Sequence, residues 1–506
     1  MGSCLRKTEK PLKTANQNEV KDKNYRKLST KKTLKDFKIK ISDFVVQNKN
    51  KITKEYKMYN PPIGSGAYGE VRKALHLKSN KMRAIKILNK NAFTSVDKTH
   101  ILKEIKMLKS LDHPYIVKIY EFFETETFYY IVMEYLQGQE LYTKLISDSF
   151  DYSEKSVCKI MRQLLSALRF IHKLGVMHRD IKSENIIHNG HHMILIDFGN
   201  SKNIEADKRN KELTGTSFYI APEVIKGKYN EKCDIWSSGI LLYIMLTGKQ
   251  PFDGRRQEIY QNILKGNFKM NFDDIENISD GARLLLKEML VFDYNKRKSA
   301  EELLNHPWFD LLNDEKVNKR EMKRVAKNME KFHFKNKLQE AFFMYLINTL
   351  VAKDECEELI EIFENMDTNK DGVLSKTEIL NGFEKAGKII TQEEVDDIFN
   401  EIDKDGNGLV SFGEYLASSV DKKKVLSEEK IVSVFKLFDA DKNGRISLSE
   451  FQDVFHQNDE ILVENWQEMI KNVDLNGDGE IDFEEFKVLM LKLINKNIKI
   501  ENISYV

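Results

Sequence analysis

Apolar positions recur every three or four residues through the second half of the chain. Met322, Val325, Met329 and Phe332 form one such stripe, Leu338, Phe342, Leu346 and Leu350 continue it, and the spacing predicts an amphipathic helix within residues 311–354. Leu359, Ile362 and Phe363, and again Val432, Val434, Phe435 and Phe438, keep helical spacing just ahead of acidic, glycine-containing loops. Earlier runs are shorter. Ala84-Ile85-Lys86 sits in an apolar stretch whose alternation puts Ala84 and Lys86 on one face of a strand. Ile101, Ile105 and Leu108 predict a helix, with Glu104 on its inward face. Ile186-Ile187 and Ile194-Leu195-Ile196 predict two strands joined at Asn189-Gly190, a favourable hairpin pair. The longest apolar runs, Gly239–Thr247 and Ala341–Ala352, fall well short of the ~20 residues that span a bilayer.

The 506 residues are 41% hydrophobic and 32% charged, globular material sufficient for three or four domains and unlike a disordered polyampholyte. The net charge of +2 conceals a strong polarity: residues 1–60 carry 17 Lys/Arg against 6 Asp/Glu, whereas residues 355–506 carry 17 against 35. A basic head and an acidic tail therefore flank a mildly basic body. All 7 prolines lie at or before Pro307, which leaves the tail able to be mostly helix. Cysteines at 4, 158, 233 and 356 are too scattered for a disulfide framework or a zinc cluster and favour a reducing compartment, so a cytoplasmic location is expected.

The tail repeats. Twelve-residue loops start at Asp367, Asp403, Asp439 and Asp474 and read DTNKDGVLSKTE, DKDGNGLVSFGE, DADKNGRISLSE and DLNGDGEIDFEE. Calcium wants six to eight oxygen ligands, which a short loop supplies from positions 1, 3, 5 and 12 and from the carbonyl at position 7. The candidate ligands are Asp367, Asn369, Asp371, Val373 and Glu378; Asp403, Asp405, Asn407, Leu409 and Glu414; Asp439, Asp441, Asn443, Arg445 and Glu450; and Asp474, Asn476, Asp478, Glu480 and Glu485. Glycine at position 6 of each permits the sharp turn, and apolar Leu374, Val410, Ile446 and Ile481 at position 8 suit pairing of the loops two by two. These are EF-hands, and the four together resemble a calmodulin-like module. Only Met366, Met469 and Met490 lie in it, so it lacks the methionine-rich groove of a promiscuous sensor and a dedicated partner is expected.

The body carries phosphate chemistry. Ile63 to Val71, IGSGAYGEV, places Gly64, Gly66 and Gly69 where bare backbone could cover a triphosphate. Lys86 could reach phosphate, Ala84 leaves room for adenine, and Glu104 offers Lys86 a counter-ion. His178-Arg179-Asp180-Ile181-Lys182-Ser183-Glu184-Asn185 precedes the hairpin and Asp197-Phe198-Gly199 follows it, so Asn185 and Asp197 converge as oxygen ligands for magnesium. Asp180 could then take a hydroxyl proton while Lys182 neutralises the transferring group.

With Ala221-Pro222-Glu223 and Arg297 in order behind these motifs, residues 56–308 resemble a eukaryotic protein kinase domain. That likeness implies a bilobal α+β fold followed by the all-α EF-hand module. It implies ATP contacts at Ile63, Gly64, Ser65, Gly66, Ala67, Tyr68, Gly69, Val71, Ala84, Lys86, Met133, Glu134, Leu136, Glu140, Ile187 and Asp197, with Met133 as gatekeeper and Glu134 to Leu136 as hinge. It implies catalysis by Asp180, Lys182, Asn185, Asp197, Lys86 and Glu104, and a buried Glu223–Arg297 pair. Lys182, and Gly215-Thr216 ahead of the Ala-Pro-Glu motif, are similar to serine/threonine kinases, and Glu140 and Glu184 match positions that attract a substrate arginine. Two positions depart from the family pattern: Ser183 replaces the usual proline and Asn200 the usual leucine. Glu205, Asp207 and Glu212 could give Arg179 a fixed negative charge in place of a phosphate, so activity without activation-segment phosphorylation is expected.

Lys319, Arg320, Lys323, Arg324 and Lys327 decorate the first half of the junction, giving it the look of a calmodulin target and of a basic kinase substrate without an acceptor hydroxyl. The order of kinase, basic amphipathic helix and four EF-hands is similar to calcium-dependent protein kinases of plants and protists. The expected domains are a basic, disordered segment at 1–55, the kinase at 56–308, an autoinhibitory junction at 309–354, the calmodulin-like domain at 355–495 and a tail at 496–506. Expected cofactors are ATP, Mg2+ and Ca2+; expected partners are protein substrates and, for the hands, the chain's own junction helix. Gly2 and Cys4 are candidates for acylation, and the basic head would add attraction to anionic lipid. Neither nucleic-acid binding nor oligomerisation is expected. Two rivals are a calcium-binding adaptor with a dead kinase fold, which the presence of Lys86, Glu104, Asp180, Asn185 and Asp197 opposes, and a kinase served by separate calmodulin.

Overall fold

The computed structural model describes residues 38–48, 51–66, 69–92, 107–147, 150–204, 217–252, 254–266, 278–312, 318–455 and 460–495. A seven-stranded sheet builds the first lobe. Its order runs β1 (Val46–Asn48), β6 (Ile119–Glu124), β7 (Phe128–Glu134), β5 (Met82–Asn89), β4 (Gly69–His76) and β2 (Tyr56–Met58), with β3 (Gly64–Gly66) folded onto β4. Register follows the pleat: Ala84 lies opposite Met133 and Lys86 opposite Ile131. A Cβ at Gly69 would overlap the Ile87 carbonyl oxygen, so the β3–β4 hairpin crosses β5 at a distance only glycine allows.

The second lobe is helical. α1 (Glu154–Lys173) is capped by Ser153, whose hydroxyl accepts from the Ser156 N–H, and it buries Val157, Met161, Leu164, Leu168 and Ile171 along one stripe. α2 (Lys232–Thr247) is apolar around most of its circumference and is correspondingly buried; it stops at Gly248 in the left-handed conformation. Trp308, Phe309 and Leu312 pack behind α1, carrying this lobe past the expected boundary as far as Leu312.

The junction departs from the single expected helix. It forms α3 (Lys319–Glu330) and α4 (Lys337–Leu350), separated by six residues. Phe332 and Phe334 are both buried, in edge-to-face contact at 5.0 Å. Residues two apart point to opposite sides of a helix and do not face each other, so bringing the two rings into contact requires the chain to leave helical geometry between them. Asn336 then caps α4 by accepting the Leu338 N–H.

Among the described residues, eight helices flank the four calcium loops: α5 (Glu357–Met366), α6 (Lys376–Lys385), α7 (Gln392–Ile402), α8 (Phe412–Ser419), α9 (Glu428–Phe438), α10 (Leu448–Phe455), α11 (Glu460–Ile470) and α12 (Phe483–Leu491), and a single turn at Lys422–Val425 links the two pairs. The first two loops join through Leu374 and Val410, whose backbones exchange hydrogen bonds of 2.8 and 2.9 Å. The last two join through Ile446 and Ile481. The apolar residue at position 8 thus pairs the hands two by two. The first pair receives α3 through Met322, Val325, Ala326 and Met329, and α4 lies between the two pairs, against α8 of the first and α9, α11 and α12 of the second. Phe342 alone meets Phe438, Phe451 and Phe486 at 4.8, 5.5 and 4.9 Å. The apolar interior runs without a break from the second kinase lobe through the junction into the hands.

The head corrects one expectation. Residues 1–37, with Gly2 and Cys4, lie outside the described residues, but residues 38–48 are ordered rather than a disordered tail. β1 pairs in parallel with β6, Asn48 donates to Glu121 at 3.1 Å, and Phe44 packs on Tyr345 and Phe455 at 5.6 and 5.7 Å. Ile39, Phe44 and Val45 supply the apolar surface that holds this short segment in place.

Candidate active site and calcium loops

The catalytic loop hangs between β9 (Val176–Met177) and β10 (Ile186–His188), anchored from below by buried Asp234. The Asp234 carboxylate accepts the N–H groups of His178 (2.9 Å) and Arg179 (2.7 Å) and faces His172 Nε2 at 2.8 Å. Arg179 adopts a positive φ of 68°, with Nε donating to the Asn200 carbonyl and a guanidinium nitrogen to the Tyr229 hydroxyl. The loop is thereby held from several sides before substrate arrives.

Donors gather on one oxygen of Asp180. Lys182 Nζ reaches Oδ2 at 2.9 Å, Asn185 Nδ2 at 3.1 Å and Asn200 Nδ2 at 3.3 Å. Asn185 Nδ2 also donates to the Asp180 carbonyl at 2.8 Å, which fixes the amide and turns its oxygen to the other side. β10 pairs with β11 (Met193–Leu195), and the Ile196 N–H donates to the Asn185 carbonyl, so Asn185 and Asp197 stand at adjacent ends of the hairpin. Asp197 takes a positive φ of 58° and its Oδ1 meets Lys86 Nζ at 2.5 Å. Burial pushes the Asp197 carboxyl up, but the Lys86 ammonium with its hydrogen bond, the Gly199 N–H and His178 together outweigh burial and hold it below the ordinary range. Asn185 and Asp197 present oxygens suited to magnesium.

Among the nucleotide contacts, Ala84 is buried opposite the half-buried Met133 at the start of the hinge, Val71 lies across the sheet from Lys86, and Gly64 pairs with Val71. Exposed Ile63 and Ser65 and half-buried Leu136 rim the cleft. β8 (Gln139–Glu140) brings Glu140 opposite Ile187, close enough to Glu184 that burial, and then the Glu184 charge, raise the Glu140 carboxyl. Glu223 and Arg297 form a buried two-point ion pair at 2.5 and 3.0 Å. Ala67, Tyr68, Glu104, Glu205, Asp207, Glu212, Gly215 and Thr216 lie outside the described residues; among the described residues Lys86 pairs with Asp197.

The four calcium loops share one geometry. The position-6 glycine N–H donates to the position-1 aspartate in each, at 2.9 Å for Asp367, 3.0 Å for Asp403, 3.1 Å for Asp439 and 2.9 Å for Asp474. Those glycines all hold φ between 81° and 85°. The closing glutamates Glu378, Glu414, Glu450 and Glu485 accept loop N–H groups on both oxygens, which keeps each aimed inward. Asp403, Asp405 and Glu414, and likewise Asp439, Asp441 and Glu450, bring carboxylate oxygens within 4.8 Å of one another. Burial pushes Asp367 and Glu414 up to about 7. Clustered carboxylates strained in this way fit a hard divalent cation. The loops differ in their neighbours: Asn369 and Asp371 meet Arg169 and Lys173 of the kinase, whereas Asp478 and Glu480 meet Arg445 from the paired loop, and Asn407, Asn443 and Asn476 turn back onto loop N–H groups. Val373 and Leu409 hold their places at position 7.

Lys353, just ahead of the first hand, is a contact no local motif foretold. Its N–H donates to hinge residue Glu134 at 3.3 Å, and its ammonium is buried against the carbonyls of His113 and Ile116. Arg83 to Thr349 (2.5 Å) and Lys118 to Asn348 (2.9 Å) extend the seam. An isolated lysine has no spacing that betrays a distant carboxylate.

Residues 56–309 match the family model described as protein kinase domain, and residues 356–419 and 424–491 match the EF-hand domain pair. The chain is 36% identical over 471 residues, 89% of each chain, to Calcium-dependent protein kinase 4 of Plasmodium falciparum (isolate 3D7). It is 34% identical over 347 residues to Calcium-dependent protein kinase 5 of Plasmodium berghei (strain Anka), covering 67% of this chain and 61% of that one. It is 32% identical over 368 residues to Calcium-dependent protein kinase 3 of Plasmodium yoelii yoelii, covering 71% and 67%. ATP, Mg2+ and Ca2+ are the cofactors that these domains use. A phosphoryl-transfer cleft and four calcium loops thus share one polypeptide, and the chain belongs to the calcium-dependent protein kinases, serine/threonine kinases regulated by EF-hands of their own.

Proposed function

We propose that the chain phosphorylates protein serine and threonine hydroxyls in basic sequence contexts, and that its own hands, without separate calmodulin, decide when. ATP with magnesium supplies the phosphoryl donor and neutralises its charge. Asn185 and Asp197 would hold the metal, and Ala84, Met133 and the hinge would flank the base. Asp180 orients the incoming hydroxyl and takes its proton, Lys182 offsets negative charge beside it, and Lys86 keeps Asp197 ionised and in place. Such catalysis is mostly positioning and charge stabilisation. The observation that carries this reading is the assembled Asp180–Lys182–Asn185 cluster in a chain whose junction, where it enters the calcium module, bears on the hinge through Lys353 and Glu134.

Regulation is read as a choice between two seats for the junction. In one, Lys319, Arg320, Lys323, Arg324 and Lys327 face the acidic groove at Glu140 and Glu184 and block it. In the other, Met322 and Phe342 sit in the hands, the arrangement described above. Calcium drives the exchange only by binding the second state more tightly, and a sharp switch requires several kcal/mol of difference. Phosphorylation of an arginine-containing peptide, measured against free calcium with and without added calmodulin, tests this: activity should rise with calcium alone. A folded chain ending at Leu312 should be active without calcium; if it is inert, simple blockade is wrong. The chain is further proposed to be a cytoplasmic monomer, held at membranes through acylation of Gly2 and Cys4 and the charge of the head. A G2A variant that sediments with membranes as the wild type does would remove that part.

A further inference from the structure

Ser183 stands in the catalytic loop where the family pattern has proline, and it is buried, with 1% of its surface exposed. Its hydroxyl oxygen lies 3.0 Å from Glu184 Oε2 and 3.2 Å from the Tyr219 hydroxyl. A serine hydroxyl has one proton, and an ionised carboxylate only accepts. The Ser183 proton therefore goes to Glu184, and the Tyr219 hydroxyl donates to Ser183 Oγ. The result is a directed chain from Tyr219 through Ser183 to Glu184.

The root of that chain is firm. Tyr219 is buried, and its carbonyl accepts the Ser237 hydroxyl of α2 at 2.8 Å. The far end is the half-buried carboxylate of Glu184, next to Glu140 on β8. A glutamate side chain left to rotate loses conformational freedom when a ligand fixes it. A hydrogen bond that sets one carboxylate oxygen beforehand removes part of that loss, so a planar, two-point donor such as a guanidinium gains most from it.

We infer that Ser183 is a positioning residue for substrate choice: with Tyr219 it fixes the Glu184 carboxylate to receive an arginine of the peptide upstream of the phosphoacceptor. The inference rests on the basic-substrate reading above and adds the residues that make it selective. Proline at this position has no hydroxyl and could not take part.

The test uses the full chain at saturating calcium and ATP, with two peptides that differ only by arginine or its neutral isostere citrulline upstream of the serine. S183A should raise KM for the arginine peptide about five-fold with kcat little changed, and should leave KM for the citrulline peptide where it was. Y219F should move the same way by a smaller factor, and supplies the measurement should S183A fold poorly. Equal losses on both peptides, or no change on either, overturn the inference. Wild type and E184Q separate the two levels: if the wild type shows no preference for arginine over citrulline, the basic-substrate reading falls and the positioning role with it, whereas if that preference survives E184Q, or E184Q removes it while S183A is silent, only the positioning role falls.

Discussion

Lys173, the last residue of kinase helix α1, places its ammonium 3.0 Å from Oδ2 of Asp371, the fifth position of the first calcium loop. Arg169, one turn earlier, donates to Asn369 at 3.1 Å, and Ser166 donates to the Lys370 carbonyl. Gly372 rests on the His113 ring so closely that a Cβ there would overlap it. Ligand residues of the first hand therefore serve also as its docking contacts with the kinase. A cation held beside Asp371 opposes a second cation at the same loop, and by linkage calcium there opposes docking equally.

K173A should accordingly tighten calcium at the first hand. Lys173 is more than half exposed, so solvent screens the pair and the gain is modest, about two- to five-fold. Calorimetric titration of the full chain, with E414Q, E450Q and E485Q leaving the first hand as the competent site, measures it. Weaker binding in K173A would mean that the lysine organises the loop instead.

D180N tests the catalytic cluster. The amide keeps the size of the aspartate but loses the proton acceptor on which Lys182, Asn185 and Asn200 converge. Peptide phosphorylation should fall by about 10² to 10⁴ in kcat while calcium titration and thermal midpoint stay near wild type. A residual activity above a tenth of wild type would remove Asp180 from proton transfer.

Much of this site was legible because its chemistry is local. The run from Asp180 to Asn185 and the repeated calcium loops each put their oxygens within a dozen residues, so spacing alone tells what converges. Ser183 and Asn200 stood out as departures, but their partners Tyr219 and Asp180 lie 36 and 20 positions away and become visible only in the fold. The break between α3 and α4 was hidden for a different reason. Phe332 extends the first stripe at helical spacing, and only its contact with the Phe334 ring, two residues on, shows that the helix has ended. The seam from Lys353 to Glu134 and from Lys173 to Asp371 depends on how two domains meet, which no periodicity encodes.

Acid should unfold the protein earlier than its carboxylates alone would require. Burial, reinforced by nearby lysines, holds His188 down to about 4; burial also holds His192 to about 4 and His76 to about 3. Gln163 accepts the Met193 N–H on its oxygen, so its amide nitrogen faces His192 Nδ1 and keeps that nitrogen an acceptor. Unfolded histidine takes up a proton near 6.5 while these folded ones stay neutral, so the unfolded state binds more protons and stability is lost as the pH is lowered. Each contributes fully above 6.5 and loses about 1.4 kcal/mol per pH unit on the way down to its folded value. Denaturant midpoints between pH 7 and 4.5 should slope accordingly, and H192Q should reduce the slope whatever it does to stability at pH 7. An unchanged slope would show that His192 is protonated in the folded protein.

F342A bears on the switch itself. The ring is fully buried among Phe438, Phe451 and Phe486, three helices of the second pair of hands, and its removal leaves a cavity that costs about 3–5 kcal/mol. That loss falls only on the state in which the hands hold α4, because the contacts exist only there. The balance then moves toward the blocked state, and more calcium is needed to reverse it. Half-maximal activation should shift upward by about an order of magnitude, while a chain ending at Leu312, which has neither α4 nor hands, keeps its activity as an internal reference. If F342A instead became active without calcium, the seat of Phe342 in the hands would be the inhibited arrangement, and the direction of the switch would have to be reversed.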